Sequence, residues 1–543
     1  MIEKLKNAPH AIADVVNHLQ KTRKRKEKNM KKRILCLMLT LCLFLPVLNA
    51  CKNDQQEETA SGDNTTTSNP EETQNKYDVY DDLGDLTFDG REITIGRVDR
   101  SLYDDEVSVE RYTGDIVNDA IFKRNQLVEQ RLDIVINDVP IDSSGYAISN
   151  AIRTDMQSGT HNYDLTISPV YATIMYTGEG LLSDLTKTSH IDLSKPYWSQ
   201  YFNECLSIGG SQYMASGAIS LSYYRYLYVT IVNDTVLNSH TDAPNLIDVV
   251  NAKKWTLEYQ KELTAQYYVD NGGNGKDETD GFGLITTDYN GVDGYWSSCE
   301  MPILEKDADD YYTLSFDRDR MSNVVDTVIT MFSQDSTWCV PHDPSHETGV
   351  GEWDAIYEKF AEGNALMATI KLEGVEKPAI RNMSDAYTIL PIPKYDEAQQ
   401  TYYSFVQDSF TGMAIPATAP EWDRDVSSAV MEAMASESYR TVTPAYYETA
   451  LKTKYAKNPE SVELLDMIAT NVYIDGGEMY TKSLLSISQK FREIVATNIL
   501  NGDLFESRGT YNVGSSYSET FLNDVQTKLD ELQTSIKKIQ GIQ

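Results

Sequence analysis

The segment Tyr163-Asp164-Leu165-Thr166-Ile167-Ser168-Pro169-Val170-Tyr171 reads as a buried β-strand that leads into a polar loop. Before it, a helix pattern ends near Gly159, and further upstream the strand Ile134–Ile136 follows the helix pattern Ile116–Leu132. The series begins with the alternating strand Arg91–Gly96. Strand, helix, strand, helix, strand at this spacing predicts a parallel sheet with right-handed crossovers. The folded part of the chain therefore begins as an α/β unit.

A second α/β region follows the first one. Its strand candidates are Tyr226–Val232, Phe282–Ile285, Ala365–Ile370 and Tyr387–Ile392. We expect the last two of these strands to carry the chain back to the first sheet. Because the part of the chain beyond about residue 81 is longer than one ordinary domain, the sequence predicts two lobes.

The amino-terminal region has the residue order of an export signal, in which basic residues precede an apolar run and then small residues. The apolar run Ile34–Leu48 contains Pro46 and closes on Leu48-Asn49-Ala50-Cys51. This box looks like a bacterial lipoprotein signal, which implies cleavage before Cys51 and attachment of lipid to it. The alternative is a transmembrane helix, but a spanning helix needs about 20 apolar residues, and this run is shorter.

We therefore expect residues 1–50 to be a signal peptide, with Met30 as an alternative start. Residues 51–80 would be the lipidated cysteine and a disordered tether, since residues 52–76 contain no large apolar side chain. The expected location is the extracellular face of a bacterial cytoplasmic membrane.

The charge balance argues against a nucleic-acid partner. The chain holds 82 acidic and 48 basic residues, a net charge of −34. Because residues 1–51 contain 11 of the basic and 3 of the acidic residues, the chain from Lys52 onward has a net charge of −42. A polyanion of this size repels nucleic acid and anionic lipid.

The chain has 35 tyrosines against 13 phenylalanines and 6 tryptophans. Tyrosine combines a flat apolar face with a hydroxyl group, which suits a wet cleft for polar ligands. The alternative is that these tyrosines coat the surface of an exported protein.

Several short motifs resemble, in order, those of family 1 extracellular solute-binding proteins, the binding subunits of ABC importers that include maltose-binding-protein-like lipoproteins. Each motif is weak alone, and their order and spacing carry the resemblance. The motifs are Tyr163-Asp164-Leu165, Gly180-Leu181-Leu182-Ser183-Asp184-Leu185, Lys195-Pro196-Tyr197-Trp198, Gly209-Gly210-Ser211-Gln212-Tyr213, Tyr228 to Asn233, Lys254-Trp255-Thr256-Leu257, Gly363-Asn364-Ala365-Leu366-Met367, Leu390-Pro391-Ile392-Pro393 and Gly412-Met413-Ala414-Ile415-Pro416.

The resemblance implies an α/β, two-lobed periplasmic-binding-protein-like fold of class II. Each lobe would be a mostly parallel sheet flanked by helices, and a hinge would join the lobes. The implied first lobe spans residues 81–208 plus about 385–435, and the second spans 209–384 plus about 436–543. It also implies a monomeric, lipid-anchored subunit that binds a solute, such as an oligosaccharide, between the lobes and delivers it to an ABC permease.

Two loops that follow predicted strands supply candidate ligand-binding residues. Ser168 and Tyr171 stand after the strand at Leu165, where the family contacts its ligand. Asp408, between two strand candidates, is placed to accept hydrogen bonds from hydroxyl or ammonium groups.

Aromatic side chains supply the other candidates. Tyr223 and Tyr224 stand beside Arg225 in a predicted loop, where they suit stacking on a sugar face and hydrogen bonding to its hydroxyls. Trp296 lies in a region where the family uses an aromatic platform. The alternative is that these aromatic residues pack the core between the lobes.

The polar loop 270–280 resembles a calcium-binding loop of some larger family members, with Asp270, Asn274 and Asp280 as ligands. Calcium takes six to eight oxygen ligands at alternate loop positions. Gly272 occupies a position that needs an oxygen ligand, so a plain polar turn is the alternative. We expect no other cofactor.

Two further functions remain open at this stage. A peptide or another non-sugar solute suits an aromatic, hydroxyl-rich cleft equally well. A secreted glycoside hydrolase would use two carboxylates. Because the chain is so rich in acidic residues, two carboxylates at a workable distance are expected by chance and would not indicate an enzyme. The sequence has no G-x-S-x-G, H-E-x-x-H or Walker A motif, and we expect no enzyme.

Overall fold

Two larger β-sheets flanked by helices, and two two-stranded sheets, organise the described part of the computed structural model, which covers residues 75–341, 350–455, 458, 460–499 and 512–542. The predicted signal peptide, Cys51 and the tether up to residue 74 lie outside the described residues. No helix among the described residues is long and apolar enough to cross a bilayer.

The strands are β1 (Arg91–Arg97), β2 (Ile134–Pro140), β3 (Leu165–Pro169), β4 (Tyr228–Asn233), β5 (Phe282–Thr287), β6 (Leu304–Lys306), β7 (Tyr312–Leu314), β8 (Thr337–Val340), β9 (Ala365–Lys371), β10 (Tyr387–Leu390), β11 (Ser404–Phe405), β12 (Thr411–Ala414) and β13 (Val472–Tyr473). The α-helices of five or more residues are α1 (Ile116–Leu132), α2 (Ala147–Ser158), α3 (Val170–Ile174), α4 (Gln200–Leu206), α5 (Leu221–Arg225), α6 (Leu246–Asn251), α7 (Leu257–Thr264), α8 (Asp293–Ser298), α9 (Arg318–Phe332), α10 (Val350–Ala361), α11 (Pro378–Asn382), α12 (Glu421–Glu437), α13 (Ser461–Thr470), α14 (Gln489–Asn498) and α15 (Glu519–Gln540).

The first sheet has the strand order β12-β3-β1-β2. β1 pairs in parallel with β2 and β3, and α1 and α2 form the crossovers, so the predicted α/β unit is confirmed. The side chain of Asp115 caps the beginning of α1, and Gly159 ends α2 in the left-handed conformation, with φ of 68°, as its position predicts. We call this sheet and its helices the first lobe.

The second sheet has the order β10-β4-β9-β5-β8 and forms the second lobe. β5 pairs in parallel with β8 and β9, whereas β4 pairs antiparallel with β9 and β10. This sheet is therefore mixed rather than mostly parallel. Every residue of β4, β5 and β9 is buried, which explains their near-continuous apolar and threonine sequences.

The expectation that β9 and β10 return the chain to the first sheet is wrong. Both strands pair with β4 in the second sheet, where Ile389 of β10 lies opposite Ile231. The antiparallel pairing places the fully buried β10 against an equally buried neighbour. The chain rejoins the first sheet only at β12, which lies antiparallel to β3.

Within the described residues, three segments connect the lobes. The chain passes from β3 to β4, returns between β10 and β12, and leaves the first lobe again after α12. The third segment continues α12 as π-helix over Ser438–Val442 and Ala445–Tyr455 before α13, which packs against β10. The Arg91 guanidinium, which contacts Asp423 at 2.7 Å, holds α12 on the first sheet.

Candidate functional site

A cavity of about 330 Å³ lies at the carboxyl ends of the parallel strands of both sheets. From the first lobe it is lined by residues that follow each parallel strand. Arg100 and Tyr103 come after β1, Tyr146 comes after β2, and Tyr171 comes after β3. The rings of Tyr146 and Tyr171 meet edge to face at a centroid distance of 6.0 Å. Open α/β sheets bind ligands at this edge.

The second lobe supplies the opposite wall. Tyr289 follows β5, and Lys371 ends β9. Tyr226 precedes β4, but it reaches the same edge because β4 runs antiparallel to β9, with Tyr228 opposite Lys371. Trp353, on α10, completes the aromatic surface.

The floor of the cavity is the segment 407–409, which connects the lobes before β12. Hydrogen bonds tie it to both lobes. The Tyr171 amide donates to the Asp408 carbonyl at 3.3 Å, and the Tyr103 hydroxyl donates to the Ser409 carbonyl at 2.9 Å. The Gln407 amide donates to the Tyr226 carbonyl at 3.1 Å. The floor therefore holds Asp408 at a fixed place between the two walls.

The Asp408 carboxylate accepts no hydrogen bond from the described residues. Burial raises its pKa, and the charges of Arg492 and Lys482 oppose that rise. A half-buried carboxylate without hydrogen bonds retains its full capacity to accept them from a ligand.

The Tyr226 hydroxyl is a second polar group without a partner among the described residues. Its ring is buried, and the Lys371 ammonium lies 4.6 Å from the ring centroid. A buried hydroxyl without a hydrogen bond costs about 1–3 kcal/mol. A ligand with hydroxyl groups in the cavity would recover this energy.

Arg492 stabilises the cavity wall that the second lobe supplies. Its guanidinium forms a two-pronged ion pair with Asp293, one contact of which measures 2.8 Å, and lies 4.8 Å from the centroid of the Tyr289 ring. Glu478 is also buried, and burial together with the charges of Asp408 and Asp293 raises its pKa well above the usual range. These contacts fix the orientation of Tyr289 and Arg492 before any ligand binds.

Of the predicted ligand-binding residues, Tyr171 and Asp408 line the cavity. Ser168 does not, because it is buried inside β3 and its hydroxyl bonds to that of Thr173 at 2.6 Å. Trp296 also does not line the cavity. It lies on the buried helix α8 and packs edge to face against Phe491 at 5.4 Å.

The Tyr223-Tyr224-Arg225 segment is helical, so the prediction of a loop there is wrong. The helix begins because the buried Glu106 carboxylate accepts hydrogen bonds from the first two amides of α5 at 2.9 and 2.8 Å. As a result the Tyr223 hydroxyl contacts Ser199 at 2.9 Å, and Tyr224 packs against Tyr223. Arg225 forms ion pairs of 2.7 Å with Asp105 and 3.2 Å with Glu376. The residue that follows the helix, Tyr226, is the one that lines the cavity.

Most of the lining residues are not among those that the sequence predicts. They are Arg100, Leu102, Tyr103, Tyr146, Tyr226, Tyr289, Asn290, Trp353, Lys371, Gln407, Ser409, Lys482, Gln489 and Arg492. Applying the strand-end rule to β1 and β2 as well as to β3 would have found those of the first lobe. Applied to β5 and β9, the same rule would have found Tyr289, Asn290 and Lys371 in the second lobe. Tyr226 depends on the antiparallel course of β4, which no sequence pattern indicates.

The predicted calcium loop uses its carboxylates for internal hydrogen bonds. Asp270 accepts from the Asn274 amide at 3.3 Å and the Gly275 amide at 3.0 Å. Asp280 accepts from the Asn271 amide at 2.9 Å and the Tyr268 hydroxyl at 2.9 Å. Within the described residues, no three His, Cys, Asp or Glu side chains are grouped for a metal ion. Calcium binding by this loop stays a prediction.

No family model matches the chain, and no curated protein matches its sequence. Solved structures with a similar fold are maltose- or maltodextrin-binding proteins and ABC-transporter solute-binding proteins. A cyclo/maltodextrin-binding protein in complex with maltotetraose is 12% identical with a TM-score of 0.49, over 81% of this chain and 97% of that chain. A maltose/maltodextrin-binding domain from Bdellovibrio bacteriovorus bound to maltotriose is 13% identical with a TM-score of 0.47, over 82% and 99%. A solute-binding protein from Agrobacterium radiobacter K84 in complex with ribitol is 15% identical with a TM-score of 0.46, over 83% and 99%.

Proposed function

We propose that the protein binds a polyhydroxylated solute, such as an oligosaccharide, between its two lobes. One observation carries the proposal. The Asp408 carboxylate and the Tyr226 hydroxyl both lack hydrogen-bond partners among the described residues, and both line one aromatic cavity that the two lobes share. The carboxylate and the hydroxyl can form hydrogen bonds with the hydroxyl groups of a ligand that stacks on the aromatic rings of the cavity.

The composition of the cavity wall favours a sugar over an apolar ligand. Tyrosines from both lobes and Trp353 provide flat faces, while the segment 407–409 contributes polar groups. A volume of about 330 Å³ lies at the lower end of the range of small-molecule sites, about 300–1,000 Å³. A few sugar units would fill it.

The arrangement favours binding over glycoside hydrolysis. Hydrolysis uses two carboxylates that flank the scissile bond, about 5–9.5 Å apart. Asp408 is the one carboxylate among the described lining residues. The nearby Asp293 is committed to its ion pair with Arg492. The cavity therefore supplies one acceptor group, which suits recognition.

The proposal includes an extracellular, lipid-anchored subunit that hands its solute to an ABC permease. The lipoprotein box Leu48-Asn49-Ala50-Cys51 supports the anchor. Closure of the lobes around the solute is the expected motion of such a protein. No cofactor is required for this activity.

Calorimetric titration with neutral and charged oligosaccharides, sugar alcohols and short peptides tests the proposal. We expect a saccharide to bind, and we expect Asp408→Asn and Tyr171→Ala to weaken that binding by at least tenfold. Asp530→Asn on α15 and the half-exposed Tyr201→Ala are matched controls outside the cavity lining. Binding of peptides but not of saccharides would show that the solute is a peptide, and the protein would still be a solute-binding protein.

A further inference from the structure

Two cations in the cavity have no ion-pair partner among the described residues. Arg100 and Lys482 both line the cavity, and no described carboxylate lies within 4.0 Å of either charge. The Arg100 side chain donates to the Ser143 carbonyl, and the Lys482 ammonium donates to the Gln489 side chain at 3.1 Å. Both partners are neutral.

The other two lining cations are neutralised by acids. Lys371 forms an ion pair of 2.7 Å with Glu373, and Arg492 forms its two-pronged pair with Asp293. The negative charge of Asp408 offsets one of the two positive charges of Arg100 and Lys482, and the charge of Lys482 opposes the rise in the pKa of Asp408. The described lining therefore keeps a surplus of one positive charge.

This surplus contrasts with the charge of the chain as a whole, which holds 82 acidic and 48 basic residues. A cleft of one charge sign concentrates ligands of the opposite sign, because low-dielectric walls focus its field. Arginine also presents a planar fork of donors that matches a carboxylate or sulfate group.

We infer that the solute is a saccharide that carries an anionic group, held by Arg100 and Lys482. Asp408 and Tyr226 bind its hydroxyl groups. This inference rests on the proposed saccharide-binding function and narrows its ligand class. The anionic group is a carboxylate, as in a uronic acid, or a sulfate, and both present the oxygen atoms that these two cations would bind.

Calorimetric titration with trigalacturonate and with its fully methyl-esterified form tests the inference, because esterification removes the negative charges and adds only a methyl group at each carboxylate. A sulfated galactose trisaccharide forms a third arm. We expect at least one anionic trisaccharide to bind ten or more times tighter than the ester. Its affinity would fall as the salt concentration rises.

Substitutions of Arg100 and Lys482 then test whether these two side chains contact the anionic group of the ligand. Lys482→Gln and Arg100→Gln are each expected to weaken binding of the anionic ligand about ten times more than binding of the ester. Lys528→Gln, which removes an equal charge from the exposed face of α15, should change neither affinity. Arg100→Lys, which keeps the charge, provides a second variant if Arg100→Gln fails to fold.

The outcomes separate the two claims. Equal or tighter binding of the neutral ester, unaffected by Lys482→Gln, would overturn the anionic ligand class while the saccharide-binding function stood. Absence of binding by every saccharide, charged or neutral, would overturn the proposed function itself. Preference for the sulfated arm over trigalacturonate supports the inference and identifies sulfate as the group.

Discussion

The amide of Tyr171 donates a hydrogen bond to the carbonyl of Asp408 at 3.3 Å, which joins the loop after β3 to the segment that connects the lobes. Both residues line the same cavity, although they are distant in the sequence. The bond fixes the aromatic ring and the carboxylate relative to each other, and such prior positioning lowers the entropic cost of binding.

Replacing Asp408 by asparagine should stabilise the empty protein at neutral pH. Burial raises the pKa of Asp408 in the folded state, so the ionised form opposes folding. Stability from this group is full below its unfolded pKa and is lost as the pH rises through its folded pKa. Melting temperatures should therefore show a gain for Asp408→Asn at pH 7 that disappears near pH 3. An equal gain at both pH values would contradict this account.

Glu432 should make the first lobe less stable in alkaline solution. Its carboxylate is buried and accepts hydrogen bonds from Tyr197 and from the Trp198 indole at 3.0 Å, and burial raises its pKa to about 7. Because the folded pKa exceeds the unfolded one, we expect this group to cost about 2–3 kcal/mol between pH 5 and pH 8.

Comparison of Glu432→Gln with the unmodified protein measures this cost. Denaturant unfolding at pH 5 and pH 8 should show that the variant loses less free energy of unfolding than the unmodified protein as the pH rises. The exposed Glu531→Gln should leave the pH dependence unchanged. Parallel pH profiles for all three proteins would refute the assignment.

Replacing Arg225 by alanine should destabilise the protein without greatly changing solute affinity. Arg225 lies between Asp105 and Glu376, and its removal leaves both carboxylates without their counter-charge. Breaking a largely buried ion pair in this way costs about 3 kcal/mol or more. Unfolding curves and calorimetry on the same variant check both statements. A tenfold loss of affinity in a stably folded variant would instead place Arg225 in the binding site.

A substitution in β5 tests the packing of the second lobe. A Cβ atom at Gly283 would lie 1.9 Å from the Thr264 carbonyl oxygen, so Gly283→Ala forces the backbone of α7 away. We expect a loss of about 2 kcal/mol or more in the free energy of unfolding. The matched control is Gly351→Ala on α10, where nothing lies within 4 Å of the new atom and helix propensity predicts a small gain. Equal effects from both changes would be inconsistent with this packing.

The proposed lipid anchor predicts a change of location when its cysteine is replaced. Cys51→Ala should release the protein from bacterial membranes, because the acyl chains would have no attachment site. Immunoblots of washed membranes and of the medium check this result. Retention on the membrane after an alkaline wash would show that another segment holds the protein there.

The parallel part of the fold could be predicted from sequence, because β1, β2 and β3 are separated by regular helix patterns with recognisable ends. The strand-end rule predicted Tyr171, and the position between two strand candidates predicted Asp408; both residues line the cavity. The course of β10 could not be predicted, since its short apolar sequence suits either sheet. The choice depends on pairing with β4, a contact between residues far apart in the chain.

The contribution of Tyr226 to the cavity could not be predicted from sequence for a related reason. Tyr223 and Tyr224 have the aromatic character of ligand-binding residues, but Glu106 caps α5 and turns them into the core. Tyr226 reaches the cavity only because of that helix and the antiparallel course of β4. Residue type alone cannot distinguish a tyrosine in the core from one on a cavity wall.

The most direct test of saccharide binding is a thermal unfolding series with trigalacturonate, its methyl ester and maltotriose. At about 100 times its Kd a ligand adds about 2.7 kcal/mol to native stability, which corresponds to a shift of about 3 °C for a protein of this size. We predict that at least one saccharide raises the melting temperature of the unmodified protein and that the shift is lost in Tyr171→Ala and Asp408→Asn. A shift that persists in both variants, or no shift with any saccharide, would contradict the proposed site.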